Sequence, residues 1–178
     1  MMPEIHLANA DNETDTELNN TINYIDNISV LIEQYVENIV ATNCAELDDY
    51  VNYIKSVLAD DTNEIPTKVL EDITLALPTL LYQLSDISER IGVKEDISKS
   101  IKTEVYNKIV LNSNGKATEN KLKAELETQS ENLALIVYQR AYKTMKCKVD
   151  FGLELLQSTK KILSKRITEM ELSRSVSQ

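Results

Sequence analysis

Apolar residues recur every three or four positions along most of the chain, which is the spacing that keeps them on one face of an α-helix. The first such stretch runs from residue 17 to about Thr42, and the second runs from Ala45 to Ala59. They predict two helices that follow each other closely, the second ended by turn-favouring residues at 60–62. Residues 1–16 are polar and acidic and offer little to bury, so they predict a disordered acidic tail.

The middle of the chain predicts a third and a fourth helix. Pro66 stands where a helix can begin, because the missing N–H of proline falls among first-turn donors that have no partner inside the helix. The third helix extends to Gly92, a C-terminal cap, with a kink expected at Pro78, and the fourth covers residues 93–111. The Asn-Gly pair at 114–115 is a strong turn signal.

The end of the chain predicts an unusually long helix. From Thr118 to about Arg174 there is no proline and a single glycine, and the helical spacing of apolar residues continues. We predict one helix of about 55 residues, or two helices separated at Gly152, a length usual in coiled coils. Such a helix needs apolar partners along its length, so we expect a homo-oligomer. The fold class is all-α: an elongated helical bundle with a long, coiled-coil-like C-terminal helix.

Charge changes this picture, because the net charge of −10 conceals an asymmetry. Residues 1–90 hold 18 acidic side chains against three basic ones, whereas residues 91–178 hold 11 acidic against 16 basic. We therefore divide the helical part into an acidic region, 17–92, and a basic region, 93–178, which suit partners of opposite charge. Within the basic region, the window 134–166 has eight basic side chains and two acidic ones.

Composition narrows the class of protein. At 178 residues the chain fits one domain, and three Gly, three Pro and no Trp favour helices over sheet. Cys44 and Cys147 are far apart in sequence, and we expect both thiols to stay reduced in a cytoplasm, the host cytoplasm if the protein is viral. No apolar run approaches the length of a membrane span, and residues 1–10 lack the pattern of a secretory signal, so we expect no membrane partner.

Arrangements of residues that carry catalysis are nearly missing from the sequence. Its single histidine, His6, falls in the predicted tail, where no triad or metal cluster can be built on an ordered scaffold. The three glycines are too scattered for a phosphate-binding loop, and acidic pairs such as Asp48 and Asp49 are typical of solvated helix ends. We expect a protein that is not an enzyme, with no catalytic residue, no metal site and no cofactor.

The basic window points to a ligand. Tyr138 and Tyr142 are four residues apart on one helix face, so nearby cations can grip a phosphate backbone while the rings stack an unpaired base. The same residues also fit the solvated flank of a coiled coil with both tyrosines in its core. The candidate nucleic-acid-binding residues are Tyr138, Tyr142, Arg140, Lys143, Lys146, Lys148, Lys160, Lys161, Lys165 and Arg166.

Residues from about Leu75 to Arg166 resemble the UvsY-type recombination mediator proteins of T-even-like phages. The order of features is similar: an apolar helix, a charged helix with a tyrosine before a glycine-containing turn, and a long terminal helix. The segments that carry the likeness are Leu80-Leu81-Tyr82, Tyr106 to Gly115, Val149-Asp150-Phe151 and Ser158-Thr159-Lys160-Lys161. The resemblance implies binding of single-stranded DNA and contact with a recombinase or a single-strand-binding protein.

Three functions are open at this point. The first is a non-enzymatic accessory protein of phage-type DNA recombination or replication, which assembles through its terminal helix and binds single-stranded DNA with the side from Arg140 to Arg166. The second is a phage virion component or a coiled-coil interaction protein without nucleic-acid binding. The third is an acidic inhibitor that imitates nucleic acid through residues 1–90.

Overall fold

The computed structural model describes residues 8–58 and 65–176, with side chains described for 16–57 and 65–175. Over these residues the protein has four helices and no strand. They are α1 (Ala8–Leu58), α2 (Thr67–Asn112), α3 (Ala117–Glu127) and α4 (Gln129–Val176). The prediction of an all-α bundle with a long C-terminal helix is confirmed. Residues 1–7 of the predicted tail and the turn predicted at 60–62 lie outside the described residues.

The frame of the molecule is an antiparallel hairpin formed by α2 with α3 and α4. Near the closed end of the hairpin, Lys102 Nζ donates a hydrogen bond of 2.6 Å to Asn132 Oδ1. About 30 Å further along α2, Leu81 packs against Gly152 of α4. From the first contact to the second, the residue numbers in α2 fall while those in α4 rise, so the two long helices are antiparallel.

The turn between α2 and α3 is held by the side chain of Asn120. Its Nδ2 donates a hydrogen bond of 2.8 Å to Ser113 O, and its Oδ1 accepts one of 3.1 Å from Gly115 N. The side chain thus replaces backbone partners that the chain loses between the two helices. The turn predicted at 114–115 is confirmed.

α1 packs on this hairpin through its C-terminal half, antiparallel to α2 and parallel to α4. Asp48 lies beside Lys148, and the cleft between the two helices continues to Lys55 and Phe151. The core forms where the three helices meet, from one apolar stripe of each. Its buried members are Val40, Cys44, Leu47, Val51, Ile54, Ile73, Leu77, Leu81, Leu84, Ile91, Ala141, Met145 and Leu156.

The predicted break between Thr42 and Ala45 is wrong, because α1 continues through it. No glycine or proline interrupts the helix there, and Thr42 Oγ1 and Asn43 Nδ2 donate hydrogen bonds to carbonyl oxygens one turn back. The polar side chains are therefore satisfied inside the helix rather than at its end. At the other end, α1 begins at Ala8, so helical backbone covers residues 8–16 of the predicted tail.

The helix end predicted at Gly92 is also wrong, because α2 runs unbroken from Thr67 to Asn112. The boundary between the acidic and basic regions, at 92 and 93, therefore falls inside a helix. A Cβ atom at position 92 would lie 3.2 Å from Cε2 of Tyr142, so the glycine makes room for a ring of the opposite helix. Pro66 precedes the first residue of α2, as predicted, and Pro78 lies within the helix.

The long C-terminal helix is interrupted at Thr128 rather than at Gly152. Thr128 separates α3 from α4 with φ −100° and ψ 19°, yet its Oγ1 donates a hydrogen bond of 2.8 Å to Ala124 O. Gly152 is buried within α4, where a Cβ atom would overlap the Leu81 side chain. Glycine at this position allows close approach of two helices and does not end one.

The terminal helix also finds its main apolar partner inside the chain. Leu135, Ala141, Met145 and Leu156 are buried, and α2 is long enough to cover most of this stripe. The reason given above for self-association, a long stripe with only short helices to pack on, therefore does not hold.

Candidate nucleic-acid interface

The whole basic window lies on α4, which packs against both α1 and α2. The helices that flank it contribute mostly carboxylates at this level, including Asp48 of α1 and Glu89 of α2. Charges that are separated by some 60 to 100 residues in sequence therefore lie next to each other in the fold. The candidate cations divide into those paired with these carboxylates or with backbone, and those that face solvent.

Lys148 and Arg166 are the two candidate cations held at the side of α4 that faces α1. Lys148 Nζ lies 2.5 Å from Asp48 Oδ1, and both side chains are partly shielded from solvent. Arg166 Nη1 donates a hydrogen bond to the backbone oxygen of Ile65, just before α2 begins. These two residues fix α4 to the neighbouring segments, so a phosphate would have to displace an existing partner.

Lys146 belongs to a small cluster that joins α4 to α2. Tyr142 Oη donates a hydrogen bond of 3.3 Å to Glu89 Oε1, and Lys146 Nζ lies 3.5 Å from the same oxygen. The Lys146 ammonium also sits over the Tyr142 ring, 5.0 Å from its centroid. Hydrogen bonding to Tyr142, with smaller contributions from Glu89, raises the pKa of Lys146. Lys146 is therefore fully charged at neutral pH, but its ammonium group already contacts Glu89 and the Tyr142 ring.

Tyr138 and Tyr142 share a face, as predicted, and that face turns towards α2. Both rings pack against the core and are only partly exposed. Lys94 of α2 lies over the Tyr138 ring, 5.9 Å from its centroid. The arrangement matches the alternative in which the tyrosines belong to the helix interface, and each ring already has a cation beside it.

Four candidate cations face solvent without an ion-pair partner among the described residues: Arg140, Lys143, Lys160 and Lys161. We call these four residues the α4 cations. Lys165 is exposed as well, but its Nζ lies 3.7 Å from Glu169 Oε1 one turn later. An exposed pair of this kind is weak, so Lys165 can exchange its carboxylate for another anion.

The carboxylates of Asp48 and Glu89 are neighbours of the candidate site that local sequence does not reveal. Each lies on another helix, 100 and 57 positions away from the lysine it pairs with, and no local spacing connects them. Asp150 and Glu154 are the two acidic residues of the window 134–166, and both are exposed on α4 between the two pairs of α4 cations. They lower the positive potential in the middle of the surface.

Among the described residues, no group of three or more His, Cys, Asp or Glu side chains is arranged to hold a metal ion. Within the same ranges, no helix is both long and apolar enough to cross a membrane. The likeness to the UvsY-type mediators rests on the order of sequence features and stays a prediction. No protein-family model, curated protein or solved structure matches the chain.

Proposed function

We propose that the protein is a non-enzymatic accessory protein of phage-type DNA recombination or replication, and that α4 binds the phosphate backbone of single-stranded DNA. The observation that supports this is the set of α4 cations, which are exposed on one helix and have no ion-pair partner among the described residues. From Arg140 to Lys161 they span about 32 Å along the helix axis, which is the length of several successive phosphates.

The binding is electrostatic and independent of base sequence. Cations that replace condensed counterions on the strand release them to solution, and this release supplies the free energy of non-specific binding. Tyr138 and Tyr142 take no part in our proposal, because their rings pack against the core. By resemblance, the further partner is a recombinase or a single-strand-binding protein.

Binding to single-stranded DNA should weaken steeply with salt. Four cations that each neutralise one phosphate give a log-log slope of about −3, which is roughly a 50-fold loss of affinity between 50 and 200 mM salt. Replacing all four α4 cations with glutamate should abolish the binding. The measurement is fluorescence anisotropy of a labelled oligothymidine at several salt concentrations.

A matched variant separates a local site from the effect of net charge. Lys55, Lys68, Lys99 and Lys121 are exposed lysines outside the window, and replacing them with glutamate changes the net charge by the same amount. This control should keep most of the binding, with a similar salt slope. A wild-type protein that ignores the oligonucleotide at 50 mM salt, or a control variant as defective as the α4 variant, contradicts our proposal.

Tyr142→Ala should reduce stability and leave the affinity for DNA nearly unchanged. The substitution removes a ring packed beside Gly92 together with the hydrogen bond to Glu89, and we expect a loss of about 2 to 4 kcal/mol in the free energy of unfolding. Thermal melts and the anisotropy titration, run on the same protein, check both parts. An affinity loss of tenfold or more with unchanged melting would instead assign the ring to base stacking.

A coiled-coil interaction protein without nucleic-acid binding is the second candidate function. It is favoured by the apolar side chains that α1 exposes, among them Leu18, Ile22 and Ile25. Exposed apolar stripes of this kind mark contacts between proteins. If the protein does not bind DNA in the salt titration, the result favours this second candidate function over the first.

A further inference from the structure

The N-terminal part of α1 has an apolar stripe that none of the described residues covers. Leu18, Ile22 and Ile25 are 45 to 57% exposed, and they lie on the face that further along α1 enters the core through Val40 and Cys44. Their spacing of four and three residues is that of a coiled-coil seam. We call residues 16–37 the acidic segment, because its charged residues are Glu17, Asp26, Glu33 and Glu37.

The C-terminal end of α4 has a second open stripe of the same kind. Ile167 and Met170 are 44 and 47% exposed, and with Leu163 they repeat the spacing of four and three residues. We call residues 160–174 the basic segment. Its charged residues are Lys160, Lys161, Lys165, Arg166 and Arg174 against Glu169 and Glu171.

These two segments cannot meet within one chain. α1 and α4 run parallel where Asp48 pairs with Lys148, so the N-terminus of α1 and the C-terminus of α4 extend towards opposite ends of the bundle. Counting 1.5 Å per residue from that pair, Ile22 and Ile167 are about 68 Å apart along the bundle axis. Within the described residues, neither segment can cover the apolar stripe of the other, so each stripe is open to a second copy of the chain.

The charges of the two segments indicate which segment of a second copy packs on each apolar stripe. Two acidic segments packed together would bring eight carboxylates side by side with no cation in either segment, and two basic segments would concentrate ammonium groups. An acidic segment against a basic one pairs opposite charges along the flanks of matching apolar seams. The same pairing of an acidic α1 with a basic α4 exists already inside each bundle, at Asp48 and Lys148.

The exposed area is also sufficient for such a contact. The chain exposes 13430 Å², whereas a compact protein of 20.2 kDa exposes about 8,800 Å². The excess is larger than the roughly 1,600 Å² that a standard protein interface buries in total. An elongated monomer with two uncovered apolar stripes has the surface that a repeated contact requires.

From these observations we infer that copies of this protein assemble head to tail, with the acidic segment of one copy packed parallel to the basic segment of the next. The interface joins two different patches, so a contact between two copies leaves one patch of each kind free. Assembly therefore continues into rings or filaments, and it weakens as salt screens the flanking charges.

Sedimentation velocity without nucleic acid, from 1 to 100 µM protein, tests the inference. Wild type should form species that grow beyond a dimer with concentration and shrink at high salt. The double variants Ile22→Asn with Ile25→Asn, and Ile167→Asn with Met170→Asn, should each be monomeric. Mixed in equal amounts they should form a dimer of about 40 kDa and nothing larger, because one intact patch of each kind remains.

Leu75→Asn with Leu111→Asn is the matched control, since both leucines are exposed outside the two segments. This variant should assemble like wild type, and circular dichroism should show that all three variants keep their helices. A wild-type protein that stays monomeric at 100 µM overturns the inference. So does a basic-segment variant that dimerises on its own, because that result assigns the contact to two acidic segments. Lys160 and Lys161 belong to both proposals, so DNA binding is also measured on the variant Ile22→Asn with Ile25→Asn, which keeps all four α4 cations and should not assemble. DNA binding by this variant with no assembly of wild type, or the reverse, shows which of the two proposals fails.

Discussion

Leu77→Ala is expected to lower the free energy of unfolding by about 2–5 kcal/mol. The Leu77 side chain is 0% exposed and belongs to the core cluster where α2 meets α1 and α4. The substitution removes three carbon atoms from the core and leaves a cavity, because the surrounding side chains of the three helices cannot move enough to fill it. The measurement is urea denaturation followed by circular dichroism at one fixed protein concentration.

Leu75→Ala is the control for this experiment. Leu75 lies two residues away on the same helix and is 74% exposed, so the substitution makes the same change in helix propensity without touching the core. We expect a change within about 0.5 kcal/mol. Equal losses for the two variants would show that this face of α2 does not form the core described here.

Much of this fold is predictable from the sequence, because the helical spacing of apolar residues is an intrinsic signal of each segment. The buried leucines of α2, such as Leu77, Leu81 and Leu84, belong to the repeating pattern that predicts the helix. The turn at 114–115 is equally local, since Asn-Gly favours a chain reversal wherever it stands. Both predictions depend on neighbours within a few residues, and both are confirmed.

Helix ends were harder to predict, because their outcome depends on distant contacts. Glycine is common at the C-terminal end of a helix. Gly92 and Gly152, however, each lie inside a long helix, where a side chain of the opposite helix occupies the space that a Cβ atom would need. Which of the two roles a glycine takes is decided by the register of α2 against α4. That register follows from packing along the whole hairpin, which the local sequence does not contain.

The candidate site shows the same division between local and distant information. The spacing of Tyr138 and Tyr142 predicts that they share a face, and they do, but whether that face meets solvent or α2 depends on tertiary packing. The pairs of Lys146 with Glu89 and of Lys148 with Asp48 likewise cross between helices. Counting charges in a window therefore overstates the number of cations free to bind a ligand.

Cys44 is expected to react with a thiol reagent at least about a hundredfold more slowly than Cys147, because its thiol is accessible only when the core opens locally. A hundredfold difference in rate corresponds to a free energy of opening of about 2.7 kcal/mol. Cys44 is 1% exposed in the core, whereas Cys147 is exposed on α4. Burial also raises the pKa of the Cys44 thiol, so less of it is the reactive thiolate at a given pH. Single-thiol proteins, Cys147→Ser and Cys44→Ser, separate the two rates.

The reaction of Cys44 reports how often α1 leaves the hairpin, because its thiol lies between α1 and the other two helices. Urea at concentrations below the unfolding transition should therefore accelerate the reaction of Cys44 and leave the reaction rate of Cys147 unchanged.

The raised pKa of Cys44 also determines how stability changes with pH. Above the ordinary thiol pKa of 9.0, the unfolded chain loses this proton while the folded chain keeps it, so stability falls as pH rises. Equal rates for the two thiols in the absence of urea would mean that α1 is not docked through Cys44, and that the three-helix core is open in solution.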